Sequence, residues 1–98
     1  MIDLKPGDRI AINSDVAPGA FPGEFLVTIN TATGPLSGFV TEDQIFRAGD
    51  QPALIATVRD VTGSTIGVWL QGSFFTSTGL ANLATDWAKQ NVRTLRAA

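Results

Sequence analysis

The chain has 98 residues, a formal net charge of −2, 44% hydrophobic and 16% charged residues, and no cysteine, histidine or tyrosine. Lacking cysteine, it has no disulfide or thiolate chemistry. Lacking histidine, it has neither the usual near-neutral acid–base group nor the commonest transition-metal ligand, which removes Ser-His-Asp and Cys-His catalysis in their usual forms.

The length fits one domain over residues 1–98, and the composition is that of a globular chain. No run approaches the roughly 18 apolar residues of a spanning helix. The opening "MIDLKPGDRI" carries charges where a signal peptide would be apolar, so a cytoplasmic location is the expectation, with no membrane contact. The acidic balance argues against nucleic acid as a partner, since phosphate neutralisation needs clustered Lys and Arg. Charge is nevertheless uneven: residues 1–60 hold eight of the nine acids against four basic residues, whereas the rest holds Asp86 against Lys89, Arg93 and Arg96.

Pro6-Gly7 reads as a turn feeding a strand in which Ile10 and Ile12 share a face. "NSDVAPGAFPGE", with its two Pro-Gly pairs, reads as a structured loop that either shields a sheet edge or carries a role of its own.

Next in the chain are two 22-residue stretches, Phe25–Phe46 and Leu54–Phe75. Superposed at an offset of 29 they need no gap and share five identities: Thr28/Thr57, Thr33/Thr62, Gly34/Gly63, Gly38/Gly67 and Phe46/Phe75. Each reads as a β-hairpin turning at Thr-Gly, with glycine supplying a positive φ. Phe25, Val27 and Ile29 point one way and Leu26 and Thr28 the other; Leu54, Ala56 and Val58 match the first set, Ile55 and Thr57 the second. The offset pairs Phe39 with Val68 and Val40 with Trp69 on the return strands, and predicts a shared register.

Between the hairpins, Thr41-x-x-Gln44 is a capping-box pattern for one helical turn, closed by Gly49 and Pro52. Glu42-Asp43 reads as capping or solvation rather than a catalytic pair. "TGSTIG" lacks the Gly-Lys ending of a phosphate loop and reads as a hairpin turn. At the carboxyl end, Leu80, Leu83, Ala84, Trp87, Ala88, Val92 and Leu95 recur at spacings of three and four. That predicts an amphipathic α-helix over about 78–96, with Arg93 and Arg96 in its last turn.

The expected fold is mainly β: a small five-stranded SH3-like barrel with a C-terminal helix, with an OB-like barrel as the alternative and a two-layer sheet third. Leu26, Ile55, Val40 and Trp69 then face away from the core. Helix residues Leu83 and Trp87 cover part of that face, and Phe74 or Phe75 extends the remainder. The expected function is a non-catalytic interaction or structural module that self-associates, or docks another protein, through this apolar face. The alternative is a small-ligand binder or enzyme whose pocket forms between subunits, lined by Phe21, Gln71 and Ser73. Peptide recognition in an aromatic groove is a third reading. No cofactor or metal is expected, because Asp8, Asp15, Asp50 and Asp60 are scattered and no calcium-loop spacing exists.

Overall fold

The computed structural model describes residues 3–70, 73–74 and 79–95. Among these residues ten strands succeed one another: β1 (Arg9–Asn13), β2 (Asp15–Pro18), β3 (Glu24–Thr31), β4 (Gly34–Thr41), β5 (Ile45–Ala48), β6 (Gln51–Val61), β7 (Thr65–Leu70), β8 (Ser73–Phe74), β9 (Leu80–Ala84) and β10 (Val92–Leu95). A 3-10 turn over Glu42–Gln44 precedes β5, and one short α-helix, α1 (Thr85–Asn91), separates β9 from β10. Among the described residues no helix is long and apolar enough to cross a membrane.

Every ladder is antiparallel. Sheet A runs β10-β1-β6-β7-β9, with β5 beside β7 along one edge of β6; sheet B runs β2-β3-β4-β8. The fold is thus mainly β with one short helix, in two antiparallel sheets, and the ladders among the described residues do not join these into a closed barrel. The chain crosses from sheet A to sheet B at Ser14. This buried hydroxyl donates to the Ile12 carbonyl at 2.6 Å and accepts from the Leu54 N–H at 3.2 Å, so the crossing leaves it no unmet hydrogen bond.

The core takes alternate residues from both sheets: Ile10 and Ile12 of β1, Val27 and Ile29 of β3, Leu54, Ala56 and Val58 of β6. These are the inward positions that period-two alternation predicts. Both hairpins also form, as β3–β4 and β6–β7, and the first turns at Gly34 with a φ of 124°. In the second, the Thr62 N–H donates to the Thr65 carbonyl at 2.9 Å and Gly63 has no positive φ, so the predicted glycine conformation holds for the first turn alone.

The hairpins do not share a register, and the difference corrects one residue. Val40 pairs with Phe25 and is 2% exposed in the core, not on the outer face. Its offset counterpart Trp69 pairs with Thr57 and faces outward. A bulge between Val58 and Asp60 supplies the change: one extra residue on β6 exchanges the two faces of the strand beyond it.

The Asp15–Glu24 stretch becomes the short edge strand β2 and a turn, shielding the edge of β3. Thr41 caps its turn as predicted, its N–H donating to Gln44 Oε1 at 3.1 Å and its hydroxyl bonded to Asp43. Glu42 holds Arg47 at 2.8 Å, a hydrogen bond that raises the already high guanidinium pKa.

The predicted helix over 78–96 shrinks to seven residues. Leu80–Ala84 pairs with β7 and Val92–Leu95 with β1, so Leu83 is a core strand residue and Arg93 lies in a strand rather than a last helical turn. Arg96 lies outside the described residues. Pairing the free edges of β7 and β1 satisfies backbone groups that a helix would have left open there. The α1 segment places Ala88 in the core, with Trp87 and Val92 packed against it, and does not lie across an outer sheet face.

Candidate docking face on sheet A

The register places one row of side chains across the outer face of sheet A: Leu95, Arg9, Thr57, Trp69 and Leu80, one from each strand of β10-β1-β6-β7-β9. The adjacent row is Arg93, Ala11 and Ile55, and the next is Asn13, Ala53 and Phe46. Trp69 is 48% exposed, whereas Ile55, Phe46, Leu80 and Leu95 are half-buried.

Ala11 and Ala53 are fully buried yet belong to the outer rows and not to the core cluster. Their register neighbours Arg93 and Phe46 meet each other, the guanidinium carbon lying 5.6 Å from the ring centroid. Two alanines keep the surface low enough for these longer side chains to meet above it, and the arginine stem contributes apolar cover while its head stays at the surface.

At the β6 bulge, Arg59 pairs with Asp60 at 2.7 Å and also donates to Asn82 at 3.5 Å. This pair lies directly on Gly67, where an added Cβ would come within 2.6 Å of Asp60 Oδ1 and 2.7 Å of an Arg59 nitrogen. Among the described residues the face therefore carries three arginines: Arg59 at the bulge next to Gly67, Arg9 two strands from Trp69 in the same row, and Arg93 at the far strand β10. Its single carboxylate among the described residues, Asp60, is already held by Arg59. Arg9 forms no ion pair among the described residues.

Trp69 and Ile55 thus lie on one outer sheet face, and Leu26 does not join them. Leu26 pairs with Ala17 and Phe39 on the outer face of sheet B. Phe74 belongs to β8, paired with Gly38, while Phe75 and Gln71 lie outside the described residues. Ser73 pairs with Phe39, and Phe21 stands 69% exposed in the turn between β2 and β3. Arg9, Phe46 and Arg93 were not singled out for this face. Alternation around Ile10 and Ile12 carried the signal for Arg9, whereas Arg93 was hidden by the helical reading.

Among the described residues no group of three or more acidic side chains is placed to hold a metal. No protein-family model matches the chain, and neither a curated protein nor a solved structure does.

Proposed function

We propose that this chain is a non-catalytic assembly module that binds a second copy of itself head to tail through the outer face of sheet A. One observation carries the reading: the exposed Trp69 shares its sheet face with three arginines, whereas the rest of the described chain carries an excess of acids. Among the described residues, three of the six basic residues and one of the nine acids belong to this face, which leaves eight acids against three basic residues elsewhere. Such segregation favours contact between unlike surfaces of two copies over contact between like surfaces. Tryptophan and arginine are also the residue types that most often anchor protein interfaces.

The complementary surface is the turn between β2 and β3. Phe21 projects there, Glu24 comes three residues later, and Glu24 pairs with Thr41 beside Glu42 and Asp43. An apolar knob flanked by carboxylates suits an apolar, arginine-rimmed face. In finer fold terms we read the two sheets as an opened small barrel of SH3-like character, with β9 and β10 completing sheet A.

Light scattering at two concentrations tests the reading. The wild-type chain is expected to gain mass with concentration and to lose it at high salt, because the arginine–carboxylate contacts are screened. Trp69→Asp is expected to stay monomeric with an unchanged far-UV circular dichroism spectrum. A wild-type chain that is monomeric at both concentrations overturns the reading.

A further inference from the structure

A set of hydrogen-bonding side chains gathers where β1 crosses into β2, beginning at Asn13 on the margin of the docking face. A cleft of about 150 Å³ is lined there by Asn13, Asp15, Asn30, Gln51, Trp87 and Asn91, with Ser14 and Thr28 between them. Liquid water occupies about 30 Å³ per molecule, so the space is that of about five waters. Most ligand pockets are larger and mostly apolar. This one is small, and apart from Trp87 its lining is polar.

Part of the lining is fixed in place. Asn91 Nδ2 donates to the Trp87 carbonyl at 2.8 Å, Asn13 Nδ2 donates to Asn91 Oδ1 at 3.4 Å, and Gln51 Nε2 donates to the Ser14 carbonyl at 3.0 Å. The Thr28 hydroxyl is bonded to Ser37 at 2.7 Å. These bonds hold three amides, and among the described residues they leave Asn13 Oδ1 and Gln51 Oε1 as free acceptors. Asp15 and Asn30 make no side-chain hydrogen bond among the described residues, although both edge the cleft.

The chemistry selects among ligand classes. Anions are disfavoured, because no Lys or Arg lines the cleft and Asp15 would repel them. A hard cation wants several oxygen ligands with more than one carboxylate among them, and only Asp15 supplies one. An apolar ligand would leave the amides unpaired, at a cost for each. What suits a ring of amides, one carboxylate and one indole is a neutral ring bearing several hydroxyls. Adjacent hydroxyls both donate and accept, as amide and carboxylate pairs require. We infer that the cleft binds one pyranose unit of a neutral saccharide.

The test is a titration of the ¹⁵N-labelled full chain with methyl glucoside, methyl galactoside, methyl mannoside and N-acetylglucosamine. At least one sugar is expected to shift, saturably, the side-chain amide signals of Asn13, Asn30, Gln51 and Asn91 and the Trp87 indole N–H, leaving the Trp69 indole in place. Asn30→Ala and Asp15→Ala alter exposed groups that the fold does not use. Each is expected to weaken binding at least about tenfold with an unchanged backbone spectrum. The inference is overturned if no sugar gives a saturable shift up to roughly 50 mM, about fifty times a millimolar Kd. It is equally overturned if calcium chloride moves these signals and the sugars do not, or if glycerol moves them as strongly as any sugar.

Discussion

Arg93 and Phe46 meet on the outer face of sheet A although the strands that carry them, β10 and β5, are separated by β1 and β6. Strands lie about 4.8 Å apart, so the pair bridges roughly 14 Å of sheet. Only small residues beneath permit this, and Ala11 and Ala53 are those residues. The contact gives sheet A a thin second apolar layer and holds one guanidinium of the docking face in position.

A double-mutant cycle of Arg93→Ala and Phe46→Ala, read by urea unfolding, should give a coupling of about 0.5–1 kcal/mol, the usual range for an exposed cation–aromatic pair. Additive single effects would mean that the two side chains cover the alanines independently.

Two glycines should respond differently to alanine. At Gly19 a Cβ would come within 2.7 Å of the Glu24 carbonyl oxygen, which is backbone held by the hydrogen bond from the Gly19 N–H. At Gly67 it would meet the ends of the Arg59 and Asp60 side chains, which can swing away. Gly19→Ala should cost about 1–3 kcal/mol through overpacking. Gly67→Ala should cost under about 1 kcal/mol, the worth of a partly exposed ion pair. Equal costs in thermal or urea unfolding would contradict this ordering.

Leu83 and Trp69 separate core from surface. Leu83 is fully buried in β9, so Leu83→Ala should lose about 2–5 kcal/mol of stability. Trp69→Ala should change subunit stability by under about 1 kcal/mol while weakening association by at least about 2 kcal/mol, roughly 30-fold in Kd. Unfolding of Trp69→Ala at ordinary temperature would place Trp69 in the core instead.

Much of this arrangement is legible from residue alternation alone. Ile10 and Ile12, Val27 and Ile29, and Leu54, Ala56 and Val58 declare their inward faces by recurring at every second position. The faces of the return strands are not legible in that way. Nothing local to Val58-Arg59-Asp60 announces the bulge, and the bulge alone decides that Trp69 faces outward while Val40 faces in. Leu80 and Leu83 suit a helix at spacing three, yet Ala81 and Leu83 suit a strand at spacing two. Long-range pairing with β7 decides the matter, since isolated helices of this length are marginal and most helical stability comes from packing. The docking face and the polar cleft each draw on four or more segments distant in sequence, so both become visible only when the sheets are assembled.

Head-to-tail assembly is tested most directly by mixing two defective chains and measuring the mass by light scattering. Trp69→Asp loses the arginine-rimmed face and keeps the Phe21 turn; Phe21→Asp keeps the face and loses the turn. Each alone should be monomeric, and an equimolar mixture should form a dimer that grows no further, because one intact contact joins the two chains and the surfaces left at its ends are both defective. If Phe21→Asp alone assembles like the wild type, or if the mixture stays monomeric, the two surfaces do not bind each other and the central claim fails.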